Sequence, residues 1–300
     1  MGHRIMLLGP ILLLLAASLA SSGFDLFRKV LVRHLAPVPM VVLLAFASVP
    51  LFGALVALQG GARVAPGYYA PALGSVVLNI VANLTFLQAV RISPLSVTVP
   101  LMSLTPVFTT LLGLLLLGER PSATAILGIA LVVAGAFWLN LPARGEAADG
   151  VAVQSFWRAA ASQPGAWLMA GTALLMSCTI PLDKLAVAHA TPPFHGLFLT
   201  AGIALGTLAV LLAQGRVGEL AGIRQGWAPF LFALATSTLA LGFQLVALKF
   251  FLVGVIETVK RGIGNLMAVL LGRAVFAEPL TLRKLGAAAL MAAGVALILL

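Results

Sequence analysis

Only 9% of the 300 residues are charged, tyrosine occurs twice, and cysteine occurs once, as Cys178. Each scarcity excludes something. Soluble domains carry roughly 25% charged residues, so this chain has too little charge to cover a water-facing surface. A lone cysteine forbids an intramolecular disulfide and any multi-cysteine metal site. The four histidines are His3, His34, His189 and His195, and none shows metalloprotease spacing; the closest two flank a loop holding Pro192 and Pro193. No metal and no cofactor is therefore expected. A Gly-x-x-x-x-Gly-Lys-Ser/Thr loop is also absent, which removes the usual ATP-driven machinery. Nor does any nucleophile, acid/base pair or ligand cluster stand out as an enzyme's would. We do not expect an enzyme.

What the chain has in abundance is apolar sequence, at 61% of residues. Ten apolar runs start near Met6, Pro39, Tyr69, Pro94, Ala123, Ala166, His195, Ala228, Val253 and Thr281. Runs of about 20 residues cross a hydrocarbon core of about 30 Å as helices. Their unalternating Leu, Ala, Val and Gly suit helices better than barrel strands, whose residues alternate. The expected fold class is an all-α integral membrane protein of ten transmembrane helices, surrounded by membrane lipids. The net charge of +10 is scattered through short connections instead of forming a patch, so no nucleic-acid partner is expected. The N-terminus imitates a secretory signal, with His3 and Arg4, the run Ile11 to Leu15, and the small residues Ser18 and Ala20. We read it as a retained first helix, because the segment after it has a counterpart later in the chain.

That counterpart belongs to an internal repeat. A shift of 155 aligns Ser22, Lys29, Val32, His34 and Pro37 with Ser177, Lys184, Val187, His189 and Pro192. A shift of 159 aligns Gly113, Glu119 and Gly135 with Gly272, Glu278 and Gly294. The longest polar-rich stretch, with Pro142, Gly145, Glu146, Asp149 and Gly150, lies between the halves. The expected organisation is a first five-helix repeat over 1–141, a linker over 142–163 and a second five-helix repeat over 164–300. An odd number of helices per repeat inverts one half relative to the other. Inverted repeats are common in secondary transporters, whose sites lie near the midplane.

Leu104, Thr105, Pro106 and Phe108, followed by Leu-rich sequence, then Gly118, Glu119, Arg120 and Pro121, then Gly128 and Gly135, form one pattern. It recurs as Leu271 and Gly272, then Glu278, Pro279, Leu280 and Thr281, then Gly286 and Gly294. The pattern resembles the EamA-type repeat of the drug/metabolite transporter superfamily. Two departures stand in the second copy: Asn265 replaces the proline aligned with Pro106, and Gly286 sits one residue early relative to the glutamate. The resemblance implies ten helices and an alternating-access carrier of small organic solutes, with both termini in the cytoplasm. Physically, Glu119 and Glu278 close one helix and precede Pro121 and Pro279, which favour the first turn of the next. A carboxylate placed there caps free N–H groups of that next helix.

The candidate substrate-binding residues are those that are costly in lipid. Glu257, Lys260 and Arg261 lie inside the ninth run, where each charge costs at least about 2.5 kcal/mol. With the helix starting near Val253, Arg261 is roughly 12 Å deep at about 1.5 Å per residue. Glu257, Arg261 and Asn265 share one face at four-residue spacing. An i,i+4 pair that merely neutralises charge is one reading; a net-positive site for an anionic substrate is the other. Pro94, Pro100 and Pro106 break the fourth run among Ser96, Thr98, Ser103 and Thr105, freeing carbonyls that hydroxyls or solute can take up. Asn79, Asn83 and Gln244 are further cavity or interhelical candidates. Glu257 is the first suspect for proton coupling. Lys29 and Lys184, with Asp25 and Asp183 nearby, are anchor or gate candidates.

The expected function is a secondary carrier of a small polar or anionic metabolite, an exporter or exchanger in the cell inner membrane. The alternative is a flippase for a lipid-linked or amphipathic phosphate-bearing substrate. A homodimer is compatible with the sequence. Orientation is contested by the charges themselves. With the N-terminus inside, Arg4, Arg63, Arg120, Lys184 and Lys249 fall inside, five against ten outside: Arg28, Lys29, Arg33, Arg91, Arg144, Arg158, Arg216, Arg224, Arg283 and Lys284. The positive-inside rule thus opposes the orientation that the resemblance implies.

Overall fold

A computed structural model describes residues 2–93, 98–140, 156, 158, 160–276 and 280–299. Among them run α1 (Gly2–Leu31), α2 (Pro37–Leu58), α3 (Tyr69–Ile92), α4 (Thr105–Leu117), α5 (Ala123–Asn140), α6 (Pro164–His189), α7 (Pro192–Ala213), α8 (Trp227–Ala247), α9 (Val253–Phe276) and α10 (Leu282–Leu299). Two 3₁₀ segments, Val99–Leu104 and Val217–Arg224, complete the order. The one β feature among the described residues is an isolated bridge between Val64 and Ala190.

Nine of these segments are long and apolar enough to cross a membrane. The fourth of the nine, Pro100–Leu117, joins the first 3₁₀ segment to α4. Helix α9 is left out of the nine although it has 24 residues, because it carries Glu257, Lys260, Arg261 and Arg273. The apolar runs locate most helix starts to within three residues. The fourth start, expected near Pro94, lies with Ser96 outside the described residues, as do Glu278, Pro279 and most of the expected linker.

Proline opens several helices for a common reason. Its missing N–H falls where no intrahelical partner exists, and its fixed φ suits the first turn. Pro37 and Pro192, which the repeat aligns, open α2 and α7, both 22 residues long. Helices α5 and α10 are both 18 residues long.

The chain forms two compact units, and each takes helices from both sequence halves. The first contains residues up to Ile80 and Thr179–Phe251. In it α1 packs on α8, where Phe27 and Phe232 stack at 5.1 Å and Leu31, Leu35, Met40, Leu44 and Ala233 form a buried cluster. Helix α2 packs on α7 with the Phe52 ring laid against Gly196, where an added Cβ would meet ring carbons at 2.5–2.6 Å. The loop before α3 is stitched down: Ala65 N–H donates to the His189 carbonyl at 2.7 Å.

The second unit contains Val81–Cys178 and Leu252–Leu300. Helices α5 and α10 approach until backbone meets backbone. A Cβ on Gly128 would lie 2.7 Å from the Gly294 carbonyl oxygen, and a Cβ on Gly294 would lie 2.7 Å from that of Gly128. Gly135 is pressed the same way, with the Ala287 carbonyl 2.9 Å from its absent Cβ. Small residues permitting such approach are how helices associate without a hydrophobic driving force. The glycines of the repeated motif are therefore contact points.

Candidate functional site

In the second unit the break in the fourth span builds half of a polar cluster. Pro106 has no N–H for the Met102 carbonyl, which would be its i−4 partner. The Thr105 hydroxyl takes that carbonyl at 2.9 Å, and the Thr105 N–H also closes on it. The Thr105 carbonyl in turn accepts from Ser177 Oγ on α6 at 3.1 Å. One turn further on, Thr109 Oγ1 is buried without a partner among the described residues.

Helix α9 supplies the other half. Its N-terminus is held by Glu119, whose Oε2 accepts from the Val253 N–H at 2.8 Å. The sequence assigned this carboxylate to the next helix, α5, but α5 has its own cap in Ser122, whose Oγ accepts from Ala125 N–H at 3.1 Å. Gly118, at φ 66°, turns the chain out of α4, and the Gly118 and Glu119 amides both close on the Gly113 carbonyl. Glu119 thereby caps a helix 134 residues away. The capping chemistry expected of Glu119 is present, on a different helix.

Four residues into α9, Glu257 is 3% exposed. Its Oε2 meets Lys260 Nζ at 3.1 Å, and its Oε1 meets Arg261 Nε at 2.8 Å. Thr105 Oγ1 lies 3.1 Å from both Glu257 Oε1 and Arg261 Nε, so the hydroxyl at the proline break joins the ion cluster. One carboxylate faces two cations, leaving a net charge of +1 from these three side chains. Both bonds of Arg261 use Nε. Among the described residues its four Nη hydrogens have no acceptor, and its side chain is 33% exposed. Asn265 continues the face but offers its amide to the Met291 sulfur at 3.7 Å, a weak contact. Thr98 and Ser103 are buried in the broken segment.

In the first unit a second polar chain connects four elements. His195, near the start of α7, is fully buried. Its Nδ1 lies 3.0 Å from Tyr68 Oη, and its Nε2 lies 3.1 Å from Asp183 Oδ1 on α6. Ser75 Oγ on α3 donates to the same Asp183 oxygen, and Asn79 Nδ2 donates to Ser75 O at 2.9 Å and Oγ at 3.3 Å. Tyr68 packs against Phe194 and Phe198. Burial above all, then Tyr69 and Asp183, pushes the Tyr68 phenol above its ordinary range, so it keeps its proton.

The remaining candidates fall elsewhere. Asp183, an anchor or gate candidate with Lys184, is engaged by Ser75 and His195, while Lys184 Nζ donates to the Phe251 carbonyl at 2.7 Å. Asp25 pairs with Arg28 at 2.9 Å on an exposed helix end, beside exposed Lys29. Asn83 and Gln244 are half-buried. Tyr68 and Ser75 were passed over by sequence reasoning, His195 was weighed only as a metal ligand, and Thr105 was named only as a hydroxyl beside a mid-span proline, without its link to Glu257 and Arg261.

Buried charge on apolar helices, proline-broken spans and glycine-to-backbone helix contacts define a multi-pass helical membrane protein. Residues 8–141 match the model of the EamA-like transporter family, and over that stretch the chain is similar to the membrane transporters of this family. A solved crystal structure, 19% identical, superposes with a TM-score of 0.72 over 96% of this chain and 96% of that one, and so shares its fold. No curated protein matches the sequence.

Proposed function

We propose that the protein is a secondary carrier of small anionic metabolites, exporting or exchanging them across a cell inner membrane, with Arg261 as its anion-binding group. The reading rests on Arg261. Glu257 and Thr105 fix the guanidinium through Nε, and the Nη edge that pairs with carboxylate or phosphate in bidentate fashion is left unspent. Lys260 adds the second cation, so the cluster has charge to spare for a ligand. The unpartnered Thr109 hydroxyl, one turn below Thr105, is a further donor.

We read α9 as a tenth span. Its 24 residues, at about 1.5 Å each, suffice for a core of about 30 Å. Pairing within the Glu257 cluster offsets part of the burial cost, and Thr105 supplies a hydrogen bond in place of water. Two five-helix repeats, over 1–141 and 164–300, then run in opposite orientations, as the shifted alignments suggest.

The test is a thermal-shift screen of the purified protein against organic acids, sugar phosphates, amino acids, neutral sugars and cationic drugs. The Lys260→Ala/Arg261→Ala double variant runs beside the wild type. Stabilisation by organic acids or sugar phosphates that the folded double variant loses is the expected result. Stabilisation only by neutral or cationic compounds, unchanged in the variant, would overturn the reading.

A further inference from the structure

The anion cluster leaves unexplained a hydrogen-bonded Tyr68–His195–Asp183–Ser75 chain in the first unit. We propose that it is a proton-binding site, and that the arriving proton is taken by the Asp183 carboxylate. Its use in energising transport rests on the carrier reading above; the proton site itself does not.

The hydrogen bonds decide where a proton can go. We assign the Tyr68 hydrogen to the bond with His195 Nδ1, 3.0 Å away, since the neighbouring carboxylate at Nε2 calls for a donor there. The imidazole is then neutral with its hydrogen on Nε2, donating to Asp183 Oδ1. Oδ1 also accepts from Ser75, so it already holds two donors. Nδ1 is occupied as well. The position left open is Asp183 Oδ2, for which the described residues offer no donor. A hydronium ion gives its proton to Oδ2 and leaves as water; release to water reverses the step. No other bond changes. With His195 neutral, the pair carries one negative charge when empty and none when loaded.

Placement makes that difference matter. Asp183 lies six residues from the end of α6, about 9 Å at the rise of a helix. Ser75 is six residues into α3. Both are therefore inside apolar spans, where an uncompensated charge is expensive. The titratable and charged groups around the pair are few: Tyr68 and Tyr69 before and at the start of α3, His189 against Gly67, and Lys184, directed to the Phe251 carbonyl. Helices α2 and α8 bring no ionisable side chain. Glu257 differs in having both oxygens occupied, one by Lys260 and the other by Arg261 and Thr105.

The measurement is pH-difference infrared spectroscopy of the full chain in lipid, without substrate, reading the C=O stretch of a protonated carboxyl. On acidification, the wild type gains a band that Asp183→Asn lacks. Should Asp183→Asn not fold, Ser75→Ala and Tyr68→Phe each delete one bond of the chain, and each is expected to move the midpoint of that band. A band that persists in Asp183→Asn, or is unmoved in both single-bond variants, overturns the proposal. Because no substrate is present, failure here is distinct from failure of the Arg261 site.

Discussion

Glu257 accepts from Lys260 and Arg261 and has the Thr105 hydroxyl 3.1 Å away, yet its single negative charge balances only one of the two cations. Removing it strands both. Breaking a buried pair by deleting one partner costs about 3–5 kcal/mol, so Glu257→Gln is expected to lower the Tm of the purified protein substantially. Anionic ligands should then stabilise this variant more than the wild type, which a thermal-shift series would show. Thr105→Val is a gentler probe. It removes the hydroxyl from Arg261, Glu257 and the Met102 carbonyl while conserving shape, and should cost about 1–3 kcal/mol. The charged trio was legible in the sequence because charge in an apolar run is conspicuous. Thr105 was not, because its role depends on α4 and α9 lying side by side. His195 escaped for a similar reason: its partners Tyr68 and Asp183 lie 127 and 12 residues away, and only the packed helices bring all three together.

At the scale of elements, helix starts were readable from apolar runs and from prolines whose effect is local. Which helix a given side chain serves was not. Glu119 illustrates the limit, since its carboxylate is carried by the left-handed turn at Gly118 to the N-terminus of α9. Glu119→Ala should therefore destabilise α9 by about 0.5–2 kcal/mol, while Glu119→Gln, which keeps an acceptor oxygen, should cost less. Hydrogen exchange in the first turn of α9, compared with that of α5, checks the assignment: protection should fall in α9. The glycines on α5 and α10 give a second expectation at this scale. Gly128→Ala places a methyl against the Gly294 carbonyl, and overpacking of this kind costs about 1–3 kcal/mol. Gly53→Ala, whose added Cβ meets nothing within 4 Å, is the matched control within a helix and should not lower the Tm.

At the scale of the whole molecule, the number of crossings is tied to α9. With ten spans both termini share a side; with nine they do not. Reporters fused to each end are expected to be active on the same side, the cytoplasmic one that the EamA resemblance implies, despite a count of five Lys and Arg against ten. The all-helical architecture was legible because composition and run length are properties of the chain itself. The compact units were not, because each interleaves helices from both sequence halves, and a repeat seen in sequence says nothing about which helices pair. The central claim is that an anion is carried and that Arg261 holds it. Counterflow of a radiolabelled dicarboxylate and of a labelled sugar phosphate in proteoliposomes tests it most directly. The account predicts saturable exchange of at least one of them, reduced roughly ten- to hundred-fold by Arg261→Ala, the loss of about 1.5–3 kcal/mol expected for hydrogen bonds to a charged group. Exchange of neutral or cationic solutes alone, or anion flux indifferent to Arg261→Ala, would contradict it.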